Sequence, residues 1–106
     1  MPTISKDNEC ITIINVFTVD PKNQAQLVKL LVHATDSSVR HIEGFISASF
    51  HRSLDGTKVA AYAQWRSVEH YQAMRKNPAA LPTMQQALDL ATFDGGVYDV
   101  VETFVA

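Results

Sequence analysis

The stretch from Ile11 to Val19, ITIINVFTV, constrains the fold more than any other part of the chain. β-Branched and aromatic residues dominate it, which defines a strand. Ile11, Ile13, Asn15, Phe17 and Val19 share one face; Thr12, Ile14, Val16 and Thr18 share the other. Both sets are largely apolar, so the strand is expected to be covered on both sides. The chain has 106 residues, enough for one domain and no second. One such strand at its start calls for a helix layer on one side of a sheet and a second cover on the other.

The rest of the chain supplies that layer. Asp20 can cap a helix and Pro21 suits its first position. Leu27, Leu30, Leu31 and Ala34 then fall at helical spacing, with Val28 beside the stripe, and predict a helix to about Arg40 or His41. Gly44 ends the connection. Phe45 to Ser53 reads as a second strand and Thr57 to Arg66 as a third, joined by Leu54-Asp55-Gly56-Thr57, where Asp-Gly suits a type I′ turn. Ser67 caps a second helix, which Asn77-Pro78 ends. Pro82 to Leu90 forms another short helix. Gly95-Gly96 is expected to turn the chain into a last strand, Val97 to Val105.

The order is β-α-β-β-α-(α)-β, the split βαβ pattern of the ferredoxin-like α+β class. It predicts a four-stranded antiparallel sheet with helices on one face. The other face is most simply covered by a second copy of the chain. A two-residue hairpin loop would set Ile46 opposite Trp65, Ala48 opposite Ala63, Phe50 opposite Ala61 and Arg52 opposite Val59, all towards the helices. Ser47, Ser49, His51, Ala60, Tyr62, Gln64 and Arg66 then face the open side, which suits a wet dimer contact with His51 in it.

A hydrophobic fraction of 46% with 19% charged residues is globular and argues against disorder. Net charge is −2 and the basic residues are scattered, so nothing marks a nucleic-acid partner. Cys10 stands alone, so no internal disulfide is expected. The first ten residues hold no leader-like apolar stretch, and no run approaches the ~20 apolar residues of a membrane span. The cytoplasm is the expected location.

No phosphate loop, CxxC or HExxH is present. His33, His41, His51 and His70 do not share a helix face at metal spacing, and none neighbours a plausible nucleophile, so no metal site is expected. Three residues stand out. Asn15 puts an amide on an otherwise apolar strand face, where it is either bonded structurally or aimed at a ligand. Trp65 lies on the face of Ala61 and Ala63, whose small side chains leave volume beside the ring; helix side chains or a flat ligand could fill it. Tyr71 lies near the start of the second helix, its hydroxyl directed to solvent or to that space.

The segment GFISASFHRSLDGTKVAAYAQWRSVEHYQAM resembles the antibiotic biosynthesis monooxygenase family. The resemblance rests on Glu43-Gly44-Phe45, the hairpin, a strand ending Gln64-Trp65, and Ser67-x-Glu69-x-Tyr71. The opening INVFTVDP, with Asn15, is similar to the first strand of its anthrone oxygenase members. The resemblance covers about residues 10–104 of a single domain, 1–106. It implies a dimeric α/β barrel that oxidises a phenolic, anthrone-like or hydroquinone substrate to a quinone with O2, without metal, flavin or haem. It also implies catalytic roles for Asn15, Trp65 and Tyr71; the substrate site expected around them includes Phe17, Phe50, Ala61, Ala63, Met74 and Met84. Two positions depart from the family pattern: Ala61 stands where some anthrone oxygenases carry asparagine, and Met84 near where one carries arginine. Haem-degrading enzymes of the same fold use a helix tryptophan and a later histidine. Here the first position holds Met74 and the second falls near Met84, so haem degradation is not expected. The alternative to an oxygenase is a non-catalytic dimeric barrel that binds a small hydrophobic molecule.

Overall fold

A computed structural model describes residues 10–106; residues 1–9, and with them the reading of the N-terminus for a leader, lie outside the described residues. The chain forms β1 (Ile11–Val19), α1 (Gln24–Ser37), β2 (Phe45–Arg52), β3 (Lys58–Trp65), α2 (Val68–Arg75), α3 (Leu81–Leu90) and β4 (Ala91–Tyr98). The strands make one antiparallel sheet in the order β2-β3-β1-β4, with β3 and β1 in the middle. This is the ferredoxin-like α+β arrangement. The sheet is open, and its edges are β2 and β4.

Local chemistry sets the element ends. The Lys22 backbone N–H donates to Asp20 Oδ1 at 3.0 Å, and a 3-10 turn over Pro21–Asn23 leads into α1. The helix stops at Ser37, and a second 3-10 turn, Val39–His41, carries the chain on. Gln24 Nε2 donates to the Lys58 carbonyl at 3.0 Å and the Ser53 carbonyl at 3.1 Å, which ties the start of α1 to the β2–β3 hairpin. Gly44 adopts φ +91°, and a Cβ there would run into the His70 ring. Glycine is therefore required at this turn on two counts.

The core lies between the sheet and the helices α1 and α3. Phe17, Val19, Leu27, Val59, Ala87 and Ala91 pack together, with Val28, Leu30 and Leu31 against them. On the opposite face Ser47 Oγ donates to Gln64 Oε1 at 3.2 Å, and Ser49 Oγ lies 3.1 Å from His51 Nε2. Gln64 Nε2 and its cross-strand neighbour Thr12 Oγ1 are buried there without a hydrogen-bond partner among the described residues.

Four expectations need correction. The last strand is Ala91–Tyr98, not Val97–Val105. The chain passes from α3 straight into β4, so Gly95 and Gly96 sit inside the strand, opposite Asn15 and Ile14. Residues 99–106 carry no regular structure, and Val101, Phe104 and Val105 are exposed. The hairpin is not a type I′ turn, because only Gly56 has a positive φ, +83°. The Gly56 N–H donates to the Ser53 carbonyl at 3.2 Å, and Asp55 Oδ1 accepts from the Thr57 N–H at 3.0 Å and the Thr57 hydroxyl at 2.7 Å. These side-chain bonds hold Asp55 in an ordinary conformation and leave the left-handed position to glycine alone. The register near the turn agrees with the sequence reading: Ala48 faces Ala63, Phe50 faces Ala61 and Arg52 faces Val59. An irregularity between Phe45 and Ser47 then puts Phe45, not Ile46, opposite Trp65. An extra residue in one strand changes the parity beyond it, which brings Phe45 to the helix side and leaves Ile46 exposed. Finally, His70 does have a serine neighbour: Ser67 Oγ lies 2.6 Å from His70 Nδ1. The same Oγ accepts the His70 backbone N–H at 3.1 Å, so Ser67 serves as the helix cap.

Candidate active site

Strand parity builds the floor of a cavity between sheet and helices. Ile13, Asn15 and Phe17 of β1 alternate onto it, as do Ala61, Ala63 and Trp65 of β3 and Ala48 and Phe50 of β2. The small side chains of Ala48, Ala61 and Ala63 keep the centre of the floor low. Helix side chains do not close the gap completely: a cavity of about 140 Å³ remains. Met74 of α2 and Met84 of α3 also line it. Unbranched, polarisable methionines adapt readily to the shape of a ligand.

All nine residues singled out from the sequence line this one cavity: Asn15, Trp65 and Tyr71, and Phe17, Phe50, Ala61, Ala63, Met74 and Met84. Trp65 is 1% exposed. Phe45 meets it edge-on at 5.4 Å between centroids, and the Tyr71 ring stands 6.3 Å away at 55°. Such tilted pairs are favoured by the ring quadrupoles and hold the tryptophan plane in place. The Arg75 guanidinium carbon lies over the Tyr71 ring, 5.9 Å from its centroid.

Asn15 is half-buried, and its carboxamide makes no hydrogen bond among the described residues. Of the two uses open to it, internal bonding is therefore absent. Half-buried in an otherwise apolar wall, the amide is free to bond whatever enters the cavity.

The cavity also has polar groups on its helix side that the sequence alone does not reveal. Thr35, Ser38 and Thr83 line it there. Ser38 continues the spacing of Leu27, Leu31 and Ala34, so the available signal is a polar residue extending an apolar stripe. Among the described residues no Asp, Glu, Lys, Arg or His lines the cavity, and Tyr71 is its one titratable side chain. Nor do three His, Cys, Asp or Glu gather anywhere among them in a way that could hold a metal. The arrangement is a neutral, aromatic-walled chamber with an amide, a phenol and a few hydroxyls, suited to a flat, largely apolar molecule with oxygen substituents.

A ferredoxin-like fold with such a chamber defines a class of small-molecule proteins. Residues 10–86 match the antibiotic biosynthesis monooxygenase family. The chain is 45% identical over 82 residues to tetracenomycin-F1 monooxygenase of Streptomyces glaucescens, covering 77% of this chain and 73% of that protein. It superposes on the monooxygenase ActVA-Orf6 of Streptomyces coelicolor, solved in complex with nanaomycin D, with a TM-score of 0.81 and 26% identity over 91% of each chain. SnoaB, a cofactor-independent oxygenase from Streptomyces nogalater, has the same fold: TM-score 0.79, 21% identity, 91% of this chain and 97% of that one. The protein thus belongs to the antibiotic biosynthesis monooxygenase family and is an enzyme of the monooxygenase class. No helix among the described residues is long and apolar enough to cross a membrane.

Proposed function

We propose that this enzyme oxidises a polycyclic phenol of the anthrone or hydroquinone kind to a quinone with O2, without metal, flavin or haem. The observation that carries the reading is the unpartnered Asn15 carboxamide in the wall of an uncharged cavity, with Trp65 and Tyr71 around the same space. Tetracenomycin-F1 monooxygenase and ActVA-Orf6 support it by similarity.

The chemistry follows from the lining. An ionised phenol or enol is electron-rich enough to reduce O2 directly, so the substrate supplies its own electrons. Asn15 holds the oxyanion through its amide N–H, and Trp65 walls the ring and limits where oxygen can sit. Carbon–oxygen bond formation gives a hydroperoxide at the ring carbon. The O–O bond then breaks as that carbon loses its remaining hydrogen. One oxygen atom stays as the new carbonyl; the other leaves as water, with Tyr71 providing a proton to it. For an anthrone, the balance is one CH2 and one O2 converted to one C=O and one H2O. Oriented donors in a water-poor cavity are worth far more than in solution.

The enzyme works as a homodimer whose open sheet faces meet, with Tyr62, Gln64 and His51 near the contact. The support is a face of mixed polarity that the helices leave uncovered. A non-catalytic binding role is favoured by one feature: Ala61, directly opposite Asn15, and Met84 bring no polar group to the cavity. Oxygen-electrode measurements with a panel of anthrones and hydroquinones separate the two. Uptake of one O2 per anthrone with quinone formed supports the oxygenase; tight binding with no uptake across the panel supports the binder.

A further inference from the structure

We infer that Gly95 is a positioning residue, which seats the oxygen end of the Asn15 carboxamide on β4 and leaves its N–H donors to the cavity. The inference rests on the role proposed for Asn15 and extends it to a strand that does not line the cavity.

Asn15 and Gly95 are direct cross-strand partners. A Cβ built on Gly95 would overlap Asn15 Oδ1, stand 3.1 Å from Asn15 Cγ and 3.3 Å from Phe93 Cε2. Asn15 Nδ2 is not among these three nearest atoms. The amide therefore leans over the place where any other residue would carry its side chain, oxygen first. Ala61, its partner on the other side, lines the cavity; Gly95 does not. Oxygen on the Gly95 side leaves nitrogen as the end offered to a ligand.

Glycine in a strand interior is otherwise unfavourable, because it is entropically costly and packs nothing. Here it is the condition for the Asn15 rotamer, and Phe93, 5.4 Å from Phe17 between ring centroids, walls the other side of the seat. The polarity has a chemical consequence. A site that presents N–H binds an acceptor, such as a phenolate or a carbonyl oxygen; a site that presented Oδ1 would bind a hydroxyl proton.

The test is a double-mutant cycle on the full chain, read by turnover and by thermal unfolding. Gly95→Ala is expected to lower kcat by about 100-fold, like Asn15→Ala, since either removes one oriented donor. The double variant is expected to lose no more than either single one, because both remove the same interaction. In unfolding, Gly95→Ala lowers Tm in the native background but leaves it unchanged or raises it in the Asn15→Ala background, where the overlap is gone. Gly96→Ala, on the other face of the strand, serves as control and keeps turnover. Additive effects in both readouts, or an equal loss in Gly96→Ala, would overturn the inference. Asn15→Asp keeps an oxygen on the seat but offers no donor to the cavity, and is expected to be at least as impaired as Asn15→Ala; native turnover in it would overturn the assigned polarity. Should Asn15→Ala retain full turnover, the catalytic reading fails, while the unfolding cycle still decides whether Gly95 seats the amide.

Discussion

Tyr71→Phe separates catalysis from folding more cleanly than any other single change. The substitution removes one oxygen atom. The Tyr71 hydroxyl has no hydrogen-bond partner among the described residues, so no protein contact is lost with it. The ring remains against Trp65, 6.3 Å away, and Arg75 keeps its aromatic neighbour. Stability should therefore change by no more than about 0.5 kcal/mol, the range of substitutions that break no specific feature. Turnover should change far more. A positioned general acid contributes about 100- to 10,000-fold, or roughly 3–5 kcal/mol of barrier. The proton acts after the ring has bound, so kcat should fall while KM stays within about threefold. Steady-state oxygen uptake at saturating substrate measures the first, and its substrate dependence the second. Thermal unfolding monitored by circular dichroism supplies the control. A variant with native kcat would refute the proton-donor role; a large drop in Tm would refute the claim that the hydroxyl has no structural use.

Leu27→Ala should cost about 2–5 kcal/mol, because Leu27 is wholly buried in the core cluster, and a loss of that size lowers Tm by roughly 10–25 °C in a domain of this length. Asp55 is held at a pKa of about 2, below the ordinary 3.8, first by the Thr57 hydroxyl and then by the Thr57 N–H and Ser53. Its native value is the lower one, so its contribution is complete above about pH 4 and is lost as pH falls towards 2; carboxyl titration by NMR reads it, and Asp55→Asn should remove this acid step. Sedimentation at micromolar concentration should give a dimer, and His51→Ala should weaken assembly more than turnover; a stable monomer would contradict the proposed contact.

Much of this architecture is legible in the sequence because strand parity and helix spacing are strict. The alternation through Ile13, Asn15 and Phe17 assigns the cavity side of β1, and the hairpin register near its turn assigns Phe50, Ala61 and Ala63. What escapes lies where one residue breaks the period. The irregularity at Ile46 carries no sequence marker, so nothing before the structure places Phe45 at Trp65. Gly95-Gly96 resembles a turn because glycine disfavours strands. The place of Gly95 inside β4 goes with a tertiary neighbour, Asn15, which leans over it from β1. The hydroxyls of Thr35, Ser38 and Thr83 look like ordinary helix surface until α1 and α3 are set over the sheet.

The most direct test of the oxygenase mechanism supplies metal-stripped, flavin-free protein with an anthrone under isotopically heavy dioxygen, followed by mass spectrometry of the product. The expected product is a quinone that carries one heavy oxygen atom per molecule, formed at the same rate when a chelator is present. Product oxygen drawn from water, or turnover that stops until a metal or flavin is restored, would contradict the mechanism.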